Sequence, residues 1–189
     1  MTQKTFFTKE AILEAAFTLT REEGWGGVTA RNIAKKLGSS TMPIYSSMKS
    51  MDEIESEVRS RAEALMLDFQ KQRYTGEPPL DMAVGYVTFA RDEKALFRFL
   101  FVDRPSPRGT RHESEAGTVS YEQLVQGTEP VRLADQVPTA LQDPRILKSW
   151  IFTHGLASLL SGGVIDLPDG KIKTLLLEAG AAFEEKRNG

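Results

Sequence analysis

Residues 29–49 read TARNIAKKLGSSTMPIYSSMK, and their pattern decides the fold. The spacing predicts two short helices joined by a tight turn. Thr29 can cap the first, its hydroxyl accepting a backbone N–H one turn in. Ile33, Ala34 and Leu37 then recur at helical spacing on one face. Gly38 suits the left-handed position that ends a helix. Ser39 or Ser40 restarts the chain as a second helix, with Ile44 and Met48 facing inward. Thr41, Met42, Tyr45 and Ser46 face out. A helix, a glycine-containing turn and a second short helix with a polar outer face form a helix-turn-helix signature.

The flanks support this unit. Thr8 is a good N-cap, and Ile12, Ala15, Ala16 and Leu19 follow at helical spacing. Gly24-Trp25-Gly26-Gly27 breaks that helix, with Trp25 read as a core aromatic of the head. Ser50-Met51-Asp52-Glu53 reads as a capping box, Ser50 bonding forward and Glu53 back. The helix it opens carries Ile54, Val58, Ala62, Leu65 and Phe69 and is expected to reach about Arg73. Gly76-Glu77-Pro78-Pro79 should end it.

A body follows from Leu80. Leu80, Ala83, Val84, Val87 and Ala90 predict one helix, and Ala95 to Val102 a second. Residues 103–117 read as a loop. Tyr121, Leu124 and Val125 look helical, with Gly127 and Pro130 interrupting. Asp143-Pro144 opens a helix that runs to about Ser161. It is apolar nearly all round, so burial is expected. Gly162-Gly163 stops it, and 164–168 form a short connection. The last helix starts near Asp169 and carries Ile172, Leu175, Leu176, Ala179, Ala182 and Phe183. The tail from Glu184 is polar. No five-residue stretch alternates with period two. The expectation is an all-α chain of about nine helices: a three-helix DNA-binding head over 1–50 and a helical bundle over 51–189.

Composition narrows the function. The 189 residues contain no cysteine, which removes disulfides, thiolate metal sites and thiol nucleophiles. The histidines are His112 and His154. No phosphate-binding glycine loop, nucleophile elbow or metal-spaced cluster is present, so no enzyme, cofactor or metal is expected. No stretch approaches the ~18 apolar residues of a membrane span, and the N-terminus has no signal-like apolar core. A cytoplasmic protein without membrane contact is expected. The net charge of −2 is unevenly spread. Residues 1–51 carry Lys4, Lys9, Arg21, Arg31, Lys35, Lys36 and Lys49 against Glu10, Glu14, Glu22 and Glu23, a net of +3, and the remainder has a net of −5. A basic head on an acidic body suits nucleic acid at one end.

Residues 8–58 resemble the DNA-binding domain of the TetR family of transcriptional regulators. The likeness runs through Ala11 to Leu19 and Gly24, Val28-Thr29, Ile33-Ala34, Leu37-Gly38, Ile44-Tyr45, Met48-Lys49-Ser50 and Asp52 to Ile54. Two positions depart. The family continues Tyr-x-His-Phe where this chain has Tyr45-Ser46-Ser47-Met48, and it places lysine where Met51 stands. Tyr86 to Ala90 with Leu96-Phe97 and Phe101 is similar to a segment of the family's ligand domains. Trp150-Ile151-Phe152-Thr153-His154-Gly155-Leu156 is similar to the Trp…His-Gly pattern of one subgroup.

The resemblance implies a regulator that binds a palindromic double-stranded DNA operator as a homodimer. A repressor released by a small apolar or aromatic effector is the expected form. Arg31 matches a base- or phosphate-contacting position, and Tyr45 a phosphate-contacting tyrosine. Thr41 and Met42 lie where reach to base edges is best, Met42 against a thymine methyl. Thr29, Ser40, Ser47 and Lys49 complete the DNA-binding set, while Lys35 and Lys36 read as a solvated face. Phe89, Phe97, Phe101, Tyr121, Trp150 and His154 are the expected pocket. Leu159, Leu160, Leu176, Ala179 and Phe183 are the expected dimer contact. The alternative is a helical sensor or carrier of small molecules whose head has weak or lost DNA binding.

Overall fold

The computed structural model describes residues 7–103 and 143–184. The readings made for 104–142, including Tyr121, His112 and the helix around Leu124, lie outside the described residues. Eight α-helices occur among the described residues, with no strand. They are α1 (Lys9–Glu23), α2 (Ala30–Lys36), α3 (Met42–Ser47), α4 (Met51–Gln70), α5 (Pro78–Asp92), α6 (Lys94–Phe101), α7 (Pro144–Ser161) and α8 (Asp169–Glu184). A single 3₁₀ turn, Trp25–Gly27, separates α1 from α2. No described helix is long and apolar enough to cross a membrane.

Local chemistry sets the helix starts. The Thr8 hydroxyl accepts from the Ala11 N–H, the Thr29 hydroxyl from Asn32, the Ser50 hydroxyl from Glu53 and the Asp143 carboxylate from Arg145. Each satisfies a donor that has no partner within its helix. The return half of the capping box differs from expectation: the Glu53 carboxylate accepts from Lys49 N–H at 2.7 Å, one residue before the cap. Gly38 has φ +65°, as the turn after α2 requires. Neither Ser39 nor Ser40 starts α3. The cap position is Thr41, without a side-chain cap bond, and Pro43 occupies the first turn, where a missing N–H costs nothing. Likewise Pro78 and Pro79 open α5 rather than close α4, which already ends at Gln70.

Ile12, Leu19, Ile33, Ile44, Met48, Ile54 and Val58 form the core of the head. It is continuous with a body core built on Phe89, Phe97, Phe99, Leu160 and Ile172. α5 is the central helix: it packs on α4, α6, α7 and α8, and every residue from Val84 to Ala90 is buried. α4 and α5 cross at Gly85, where an added Cβ would stand 2.4 Å from the Phe69 carbonyl oxygen. The turn between them is held by Asp81. Its carboxylate accepts from the Thr75 hydroxyl and from the N–H groups of Tyr74, Thr75 and Gly76. The Thr75 hydroxyl leads these in holding the carboxyl below the usual range.

Two expectations change at this level. α7 is not buried all round: Ile146, Ile151 and Leu159 are exposed. Trp25 belongs to the junction rather than to the head alone. It stacks on Phe99 of α6 with ring centroids 5.2 Å apart.

Candidate functional site

α2 and α3 present one outer surface. Ile44 and Met48 anchor α3 to the core. That orientation leaves Thr41, Met42, Tyr45 and Ser46 in water, with Met42 68% and Tyr45 63% exposed. Beside them, Arg31, Asn32, Lys35, Ser39, Ser40 and Thr41 line an open depression. Thr29 and Tyr45 share a second one with Trp25 and Asp52.

Hydrogen bonds sort these side chains by what remains available. The Asn32 amide donates to the Gly27 carbonyl at 2.8 Å. The Ser46 hydroxyl donates to the Met42 carbonyl, and the Ser47 hydroxyl to the Phe7 carbonyl. Ser47, expected on phosphate, therefore has its proton committed to the chain leading into α1. Thr29 accepts through its hydroxyl oxygen and keeps its own proton to give.

The cations divide the same way. Lys9 pairs with Glu53 and Glu57, Arg21 with Glu93, Lys36 with Glu22 and Arg61 with Glu10. Among the described residues, Arg31 and Lys35 form no such ion pair and lie on the exposed surface, while Lys49, also exposed, acts on the Glu53 carboxylate through its charge. The solvated-face reading of Lys35 and Lys36 thus splits: one is tied down, the other borders the depression.

The second assembly is aromatic and lies in the body. His154 of α7 stacks on Trp150 one turn before it, with centroids 5.1 Å apart and planes 9° apart. Phe97 and Phe101 of α6 flank the same imidazole, each at 5.9 Å. Tyr86 of α5 completes the group, its hydroxyl 2.9 Å from His154 Nδ1. Burial lowers the pKa of His154, since these neighbours offer apolar surface to the charged form. Four expected pocket residues are therefore brought together. Phe89 is not among them: it is fully buried and meets Phe69 edge-on at 5.6 Å, in the seam of α4 and α5. Tyr86 is the addition. Its side chain lies one turn from Phe89 on α5, but helical spacing cannot say which of two aromatics meets α7.

α6 connects the two assemblies. Phe97 and Phe101 face the imidazole, whereas Phe99 faces the head. There Trp25 stacks on Phe99, and the Arg59 guanidinium of α4 lies 4.5 Å over the same ring. Arg59 also donates to the Phe99 and Leu100 carbonyls. At the other end of α6, Arg21 of α1 grips the buried carboxylate of Glu93, Nε at 2.7 Å.

A third surface covers α7 and α8. Lys148, Ile151, Gly155 and Leu159 form an exposed stripe at helical spacing, and Leu177 is exposed on α8. Phe152 and Phe183 meet edge-on beside it, and Ala179 is half-buried. Leu160 and Leu176, expected at a dimer contact, are only 1% and 5% exposed; they close the chain's own core.

A family model described as tetracyclin repressor-like, C-terminal domain, matches residues 80–179, just over half of the chain. No curated protein matches, and no solved structure matches.

Proposed function

The chain belongs to the TetR family of transcriptional regulators, and from that premise we propose that it is a ligand-responsive repressor. In this reading residues 1–50 bind a palindromic operator, and residues 51–189 bind the effector and a second copy of the chain. The observation that carries it is the outer surface of α2 and α3. A row of uncommitted side chains, Thr41, Met42 and Tyr45, is bordered by Arg31, Lys35 and Lys49. Cations at the edge hold phosphates and fix the register, and the side chains between them meet base edges. Arg31 is the untied guanidinium of the described head, so it is the group suited to paired hydrogen bonds with a guanine.

The aromatic assembly supplies the effector site. Tyr86, Phe97, Phe101, Trp150 and His154 offer apolar rings around one imidazole, which suits a small aromatic compound carrying one polar group. An effector that separates Phe97 and Phe101 from His154 moves α6. Movement of α6 acts on Trp25, Arg59 and Arg21, and so on the head. It releases DNA only if the effector prefers the moved state.

The test is a random-sequence selection with the purified chain, followed by binding to the enriched site and to scrambled DNA across a salt series. An enriched palindrome whose affinity falls with salt is the expected result. A selection that enriches nothing sinks the regulator reading and leaves a helical sensor without DNA binding.

A further inference from the structure

We propose that each head reads its half-site through the 5-methyl group of a thymine seated against Met42. The inference rests on the DNA-binding reading above and names what that surface recognises.

The outer surface of α3 carries no cation and no amide: the helix is Met42–Ser47, MPIYSS. Two nearby hydrogen-bonding groups are already engaged. Asn32, which could pair with adenine, gives its amide to Gly27, and Ser46 gives its proton to the Met42 carbonyl. Ser40, Thr41, Arg31 and the Tyr45 hydroxyl remain for polar contacts. In the midst of this surface Met42 is 68% exposed and Tyr45, one turn on, is 63% exposed. This is not a failure of apolar packing, because Ile44 and Met48 of the same segment are 1% and 3% exposed.

An apolar side chain held in water gains free energy once a partner covers it. The bordering Arg31, Lys35 and Lys49 select a polyanion as that partner. On the major-groove edge of the four unmodified base pairs, the one apolar group is the thymine methyl. An unbranched thioether side chain is flexible enough to lie along it.

The experiment starts from the operator enriched by selection and replaces each thymine of a half-site with uracil, which removes only the methyl group. One position is expected to weaken binding about fourfold per half-site, the equivalent of one buried methyl group. Met42→Ala should weaken the thymine operator to a similar degree and no longer distinguish uracil. Met42→Leu, which keeps an apolar side chain, should still distinguish them. Circular dichroism should match among the three, since Met42 is exposed. Equal binding of thymine and uracil operators by the unaltered chain overturns the inference, as does a penalty that survives intact in Met42→Ala. Both outcomes require an operator, so they leave the regulator reading standing. A selection that enriches nothing overturns both.

Discussion

Arg31, Lys35 and Lys36 share one short helix, yet their surroundings give them different work. Lys36 is tied to Glu22 at 2.7 Å and already neutralised, whereas Lys35 borders the depression beside Thr41. A cation that meets phosphate releases a counterion, and one already paired with carboxylate has little to release. Lys35→Gln should therefore flatten the dependence of log affinity on log salt by about one per head, and Lys36→Gln should leave the slope as it is. Fluorescence anisotropy on the selected operator measures both; equal slopes would take α2 off the DNA backbone. His154 raises a different question, of protons. Its pKa in the fold lies below the ordinary 6.5 because of burial, and among the described residues the rings that face it are those of the uncharged Tyr86, Phe97, Phe101 and Trp150. Below pH 6.5 the unfolded chain takes up the proton more readily than the folded one. Stability from this group is thus complete above that value and declines as pH falls beneath it. Between about pH 7.5 and about pH 5.5 the urea midpoint should drop, and His154→Gln should remove that share of the drop. A variant whose midpoint falls as far as the parent's would clear His154 of the effect.

At the scale of elements, the crossing of α4 on α5 makes the sharpest demand. A Cβ on Gly85 would lie 2.4 Å from the Phe69 oxygen and 2.6 Å from the Gln70 Cα, and backbone atoms cannot swing aside. Gly85→Ala gains ~1 kcal/mol of helix propensity, but forcing the helices apart costs ~1–3 kcal/mol or more. Denaturant unfolding should show a net loss; a gain would mean the crossing is looser than its geometry. Nothing in the sequence marks this glycine, since the atoms it makes room for lie in another helix. The helix starts were legible for the opposite reason. Thr8, Thr29, Ser50 and Asp143 bond to residues two or three positions on, so spacing alone exposes them. The start of α3 was misplaced because Ser39, Ser40 and Thr41 are chemically similar as caps, and Pro43 settles the matter only through backbone sterics. The outer surface of α3 was legible down to Met42 and Tyr45, because Ile44 and Met48 fix its rotation. Ser47 was not, since its acceptor, Phe7, lies 40 positions away. The grip of Arg21 on Glu93 spans 72 positions and was invisible for the same reason.

For the molecule as a whole, the apolar character of α7 is the unresolved term, and Gly155 points to its resolution. The helix reads as buried on every side, yet Ile151 is 57% and Leu159 44% exposed, with Gly155 between them on the same stripe. A glycine inside a helix costs ~1 kcal/mol relative to alanine. Here the described chain shows no return for that cost, because an added Cβ at Gly155 meets nothing within 4 Å. A close approach from outside would account for both facts. A second copy laying its own α7 and α8 across this stripe would cover Ile151, Leu159 and Leu177 and use the gap over Gly155. Sequence periodicity could not separate these residues from Leu160 and Leu176, since a core and an interface have the same apolar spacing. Gly155→Leu should consequently leave the single chain as helical as before while blocking the association. Sedimentation equilibrium should then shift from twice the 21.0 kDa chain mass to that mass alone. Operator affinity should fall with it, because two heads on one dimer bind the second half-site at high effective concentration and separate heads do not. If Gly155→Leu stays dimeric with unchanged affinity, the stripe is not the contact. The exposed apolar residues of α7 would then need another partner.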